Sequence, residues 1–205
     1  MIASKSTTEG DYAAAFRREF LEQFRDKLPY VTDYLRSHNA CLLFEVVLPR
    51  FDPHIIAYES DQLVLLDIVK RQVAYEAVDR QERERFAREI GADNKRLAAE
   101  FSSWREFAAW LDQLQGMMYQ WRGEWIEGFV LEDAGGHHVK VKLDYYTFWR
   151  QMRTALEALQ AGRRPSTRPD CPDPALAARV IEYMRQLPAE DLARMDIIAL
   201  RRRFE

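Results

Sequence analysis

Cysteine is scarce: Cys41 and Cys171 are the only two in 205 residues. That excludes a disulfide framework and a cysteine-based zinc site, and both read as plain thiols, Cys41 in an expected core strand and Cys171 in a proline-rich stretch. Long apolar runs are also missing. None approaches the roughly 18 residues of a membrane-crossing helix, and the opening Met-Ile-Ala-Ser-Lys-Ser-Thr-Thr has no signal-peptide apolar core. A cytoplasmic location and no membrane partner are the expectation. Positive charge is not in excess, the net charge being -3 and the pI about 5.9. Binding of nucleic acid through a global basic field is thereby excluded, which leaves local clusters such as Arg163 to Arg168 and Arg201-Arg202-Arg203, both read chiefly as solvated surface. Internal repeats are absent. What is present, 47% hydrophobic and 31% charged residues, describes a globular chain with one substantial core and a small appended subdomain.

Apolar periodicity places the elements. Tyr12, Phe16, Phe20, Phe24 and Leu28 recur every four residues, which predicts an amphipathic helix over Asp11 to Lys27 that ends before Pro29. Thr32 is the expected cap of a short second helix reaching His38. A strand follows over Asn39 to Leu48, then a turn at Pro49 to Pro53 and a second hairpin from His54–Tyr58 and Gln62–Val69. Residues 79 to 100 have a charged helical pattern broken at Gly91, and Ser103-Trp104-Arg105-Glu106 fits a capping box opening a helix through Leu114. Tyr146 to Leu159 is predicted helical, burying Phe148, Trp149, Met152, Leu156 and Leu159. Beyond a linker from Ala161 to Pro174 with four prolines, helices over Ala175–Leu187 and Ala189–Phe204 complete the chain. The fold class is α+β: an antiparallel sheet made of the strands around Glu45, Ile56, Val64, Phe129 and Val141, flanked by helices, with a small helical C-terminal element.

Two charged arrangements stand out. Trp125 to Leu131 has strand composition, Ala134-Gly135-Gly136 supplies a turn, and His138 to Leu143 alternates polar with apolar, so the pair reads as a hairpin. Alternation puts Lys140 and Lys142 on one face and buries Val139, Val141 and Leu143 on the other. Two like charges held side by side are mildly unfavourable unless an anion lies between them, although Lys-x-Lys alone is equally the pattern of a solvated strand face. Glu127 and Gly128 on the partner strand add a carboxylate aimed at the same point. Glu45, on a strand expected to be buried on both faces, must be protonated, paired with a cation in a structural salt bridge, or hydrogen-bonded to a ligand, because an unpaired buried carboxylate costs several kcal/mol. The four histidines form no metal constellation: His38 and His54 stand apart, and the neighbours His137 and His138 face opposite ways. Magnesium differs, since one or two carboxylates plus substrate phosphates suffice, and Glu127 suits that role.

Phe44-Glu45, then Ile55 to Tyr58 with Leu63 to Leu66, then Glu127-Gly128-Phe129-Val130, then Lys140-Val141-Lys142 with Tyr146 four residues on, resembles the phage T4-type ATP-dependent RNA ligase 1 family over roughly residues 1 to 150. The stretches are similar to nucleotidyltransferase motifs III, IIIa, IV and V in order and spacing, and Ser4-Lys5-Ser6 resembles the lysine-containing segment shortly after motif I. The resemblance implies a covalent nucleotidyltransferase (ATP-grasp-like ligase) sheet, ATP and Mg2+ as cofactors, and the joining of RNA 5′-phosphate and 3′-hydroxyl ends through lysyl-AMP and RNA-AMP. It implies that Lys140 and Lys142 neutralise the α-phosphate, that Glu127 holds the metal with Gly128 leaving room for the nucleotide, and that Glu45 contacts the ribose or a metal-bound water. Lys5 is assigned to the phosphates and Tyr146 to the substrate end or the adenylate. Residues 1–160 become the ligase domain and 161–205 a linker with a short helical element.

Motif I itself, Lys-x-Asp-Gly, is missing: none of Lys5, Lys27, Lys70, Lys95, Lys140 and Lys142 is followed by x-Asp-Gly or x-Asn-Gly. The family pattern sets the nucleophile upstream of Met1. The expectation is therefore a ligase lacking its N-terminal part, served by a companion polypeptide that carries motif I, or else a non-catalytic remnant that binds nucleotide or RNA ends.

Overall fold

Phenylalanines at four-residue spacing organise the first of two compact units, Met1–Leu48 with Ser60–Ala99. The computed structural model describes residues 1–4, 7–49, 51, 54–166 and 168–205, so Lys5 and Ser6 and part of the expected turn at Pro49 to Pro53 lie outside the described residues. Helix α1 (Asp11–Gln23) presents Phe16 and Phe20, and Phe24 caps it. These three rings meet Phe44 at centroid distances of 6.0, 5.6 and 6.0 Å. Phe44 lies on β1 (Ala40–Val47), which pairs antiparallel with β2 (Gln62–Lys70) across a bulge between Leu43 and Phe44.

Helix α2 (Leu28–Ser37) begins earlier than expected: Pro29 occupies its first turn, where the missing N–H costs nothing, and Thr32 is interior and not a cap. Helix α3 (Arg80–Ile90) is capped by the Asp79 side chain and stopped by Gly91 at φ 74°. The helical pattern predicted to run to residue 100 fails past this glycine, and β3 (Asp93–Asn94) instead pairs parallel with β2. One buried carboxylate holds the sheet to the helix: Asp67, 6% exposed, takes Lys95 Nζ at 2.8 Å and Arg83 Nη1 at 3.4 Å.

The second unit comprises Pro49–Glu59 and Glu100–Glu205. Helix α4 (Trp104–Gln113) opens on Ser103, whose hydroxyl accepts from Glu106 N, while the Glu106 carboxylate turns back to accept from Ser102 N at 3.0 Å. The antiparallel hairpin of β4 (Gly128–Glu132) and β5 (His138–Lys142) follows. Helix α5 (Asp144–Gln160) buries Phe148, Trp149, Met152 and Leu156 as predicted, in a core shared with α6 (Pro174–Gln186), α7 (Ala189–Arg194) and α8 (Ile197–Arg202). The last predicted helix is two, because Asp196 caps a fresh start by accepting from Ala199 N at 2.7 Å.

The five-strand antiparallel sheet is corrected on two counts. Among the described residues the strands form a three-stranded mixed sheet in the order β1-β2-β3 and a separate two-stranded antiparallel sheet, β4-β5. Ile56 lies on no strand; with Ile55 it enters the α5–α8 core, and Arg201 Nη1 donates to the Ile55 carbonyl at 2.5 Å. The α+β class stands. No helix among the described residues is long and apolar enough to cross a membrane.

Candidate active site

Stacking fixes the entry to the hairpin. Trp125 lies flat on Tyr145 of α5, centroids 3.9 Å apart and 12° from parallel, which sets Ile126 and Glu127 at the head of β4. At the far end Asp133 shapes the turn, its Oδ1 accepting from Gly135 N at 2.8 Å and His137 N at 2.9 Å. These bonds hold its carboxyl below the usual aspartate range, the His137 amide foremost. Register pairs Gly128 with Lys142 and Val130 with Lys140, so the two lysines share a face about 7 Å apart.

Gly128 has a role of its own. At φ 153° its position leaves no room for a side chain, since an added Cβ would meet the Val141 carbonyl oxygen at 2.0 Å. The close approach that demands glycine is therefore that of the hairpin's own backbone. Val139, expected to be buried, is 60% exposed, and Val130 is 61% exposed. A two-stranded hairpin covers one side only partly, and burial begins at Leu143, 2% exposed.

The charged groups converge on Lys142. Its Nζ lies 2.6 Å from Glu127 Oε2 and 4.6 Å above the Tyr146 ring. The pKa of Tyr146 is raised from the usual tyrosine value, first by burial and then by the Glu127 carboxylate, with Arg150 and Arg153 acting the other way. Glu127, Lys142 and Tyr146 are thus brought together, with Lys140 exposed beside them on β5. Glu45 belongs to the first unit, and there the expectation of a buried carboxylate fails: β1 turns Leu42, Phe44 and Val46 to the phenylalanine core and leaves Cys41, Leu43 and Glu45 exposed. Glu45 needs no partner on energetic grounds. Sequence reasoning misses Arg150 and Arg153, although their spacing of four and seven from Tyr146 on a predicted helix is the available signal.

A family model described as RNA ligase, of the phage T4 type, matches residues 1–146. The chain belongs to this RNA ligase family. The match ends at Tyr146 and takes in Glu45, Glu127, Gly128, Lys140 and Lys142, so every residue of the site cluster lies within the RNA ligase region. A search of curated proteins finds no match.

Proposed function

We propose that the chain takes part in ATP-dependent joining of RNA 5′-phosphate and 3′-hydroxyl ends through AMP intermediates, in the cytoplasm, and that it supplies the phosphate-handling part of a nucleotidyltransferase site. The observation carrying this is the convergence of Glu127 and Tyr146 on Lys142, with Lys140 on the same strand face, inside the RNA ligase match. Two ammoniums on one face stabilise the negative charge that builds on the α-phosphate as pyrophosphate or AMP leaves. The 2.6 Å pair of Lys142 with Glu127 keeps that ammonium beside the site until phosphate takes the carboxylate's place.

The Glu127 carboxylate, 31% exposed, is a hard oxygen donor. Among the described residues no three His, Cys, Asp or Glu side chains gather as a cage. This donor set fits magnesium, which completes its shell with phosphate oxygens and water. When bound, the ion supplies charge neutralisation at the phosphates. Glu127 would hold it. Tyr146 meets the adenylate or the substrate end. Residues 1–160 form the ligase domain, of the covalent nucleotidyltransferase type, and 161–205 an accessory helical element.

None of the six lysines lies in Lys-x-Asp-Gly, so the attacking amine comes from outside these 205 residues, on a companion segment. Incubation with radiolabelled ATP and magnesium tests this. The chain alone stays unlabelled; adding a polypeptide that bears Lys-x-Asp-Gly yields an AMP adduct on that polypeptide, and Glu127→Ala abolishes it. The same missing lysine favours a second reading, a non-catalytic remnant that binds nucleotide or RNA ends. It predicts ATP or RNA-end binding with no adduct under any complementation.

A further inference from the structure

Beyond the residues of the RNA ligase match, α5 continues the line of the site. Tyr146, Arg150 and Arg153 stand at positions zero, four and seven of one helix face, so Arg150 follows Tyr146 by about 6 Å along the axis and Arg153 by about 10 Å. Lys142 Nζ covers the Tyr146 ring at the near end. At the far end Arg153 is tied to Glu157, Nε to Oε1 at 3.0 Å. Arg150 is exposed, and among the described residues no carboxylate pairs with it. The opposite face of α5 is locked in the core by Phe148, Trp149, Met152 and Leu156, which makes the helix a rigid mount. In a chain of net charge -3, a run of Lys140, Lys142 and Arg150 is a local feature that general basicity does not explain.

We propose that Arg150 is an RNA-binding residue, which carries the line Lys140–Lys142–Tyr146 onward as a seat for the phosphate backbone of the strand whose 5′-phosphate end enters the site. The inference rests on the ligase reading and adds a substrate contact to it. A guanidinium suits this position because its planar fork takes two phosphate oxygens at once, which an ammonium cannot. The charge of Arg150 and Arg153 is already felt at the Tyr146 hydroxyl.

Fluorescence anisotropy with a 5′-phosphorylated single-stranded RNA oligonucleotide tests the assignment on the full chain. Arg150→Glu weakens binding about tenfold, the size of one charge-assisted hydrogen bond. It also flattens the slope of log affinity against log salt by about 0.7 for each phosphate no longer neutralised. Arg150→Lys recovers part of the affinity, and Arg105→Glu, the same charge change on exposed α4, leaves binding within about twofold. Equal affinity and slope for wild type and Arg150→Glu, or an equal weakening in Arg105→Glu, overturns the proposal. If Lys142→Ala weakens binding while Arg150→Glu does not, the role of Arg150 alone falls. If the wild-type chain binds no RNA, or Lys142→Ala changes nothing, the ligase reading falls with it.

Discussion

In the β1–β2–β3 sheet the charge that matters to the fold, Asp67, is buried and held by Arg83 and Lys95, whereas in the β4–β5 hairpin Lys140 and Lys142 stand on an exposed face and Lys142 pairs with the part-exposed Glu127. The sheet ties Asp67 into the structure through two cationic partners. The hairpin hardly buries its own valines and keeps its charges accessible. Residues of like chemistry are thus buried in one place and accessible in the other.

Removing the buried partner tests the first half of that contrast. Asp67→Ala leaves Arg83, 6% exposed, without its carboxylate and lowers stability by about 3–5 kcal/mol, read from urea denaturation. A loss under about 1 kcal/mol places Asp67 with the surface pairs. Gly128→Ala drives a Cβ into the Val141 carbonyl and costs about 1–3 kcal/mol, with faster hydrogen exchange confined to the hairpin amides. Unchanged exchange there means the hairpin tolerates the side chain and the glycine serves a ligand instead.

Lys142→Ala sharpens the second half. Its pair with Glu127 is about a third exposed, so stability changes by no more than about 1 kcal/mol while AMP transfer in the complemented reaction is lost. A large fall in melting temperature makes Lys142 structural. The smallest effect is spectroscopic. Burial is the leading cause that raises the phenol pKa values of Tyr34, Tyr145 and Tyr146, Glu82, Glu205 and Glu127 respectively adding to it. Raised folded values mean that their stabilisation is full below the ordinary tyrosine pKa near 10 and is lost as pH rises through the folded values. Absorbance at 295 nm therefore shows three of the nine tyrosines ionising late; nine ionising together contradicts the packing described.

The hairpin was legible because its signals are local: a glycine turn, period-two alternation and two lysines at spacing two all act within about twenty residues. Helix α5 and the Ser103 cap were legible for the same reason. The error at Glu45 arose because an apolar strand looks alike whether one face or both are covered, and coverage is decided by Phe16, Phe20 and Phe24, which are remote in sequence. Ile55 and Ile56 carry strand composition, yet the α5–α8 core claims them, a tertiary effect that no window of neighbours contains. The site cluster followed from motif order, while the pairing of Lys142 with Glu127 needed the register of β4 on β5.

Whether Glu127, Lys140, Lys142 and Tyr146 handle phosphate in an RNA ligase reaction is decided by transfer of radiolabelled AMP to a 5′-phosphorylated RNA. The assay uses the chain together with a polypeptide carrying Lys-x-Asp-Gly. Labelled RNA is expected with the wild-type chain and none with Glu127→Ala, Lys140→Ala or Lys142→Ala. Labelled RNA that persists in all three variants contradicts the assignment.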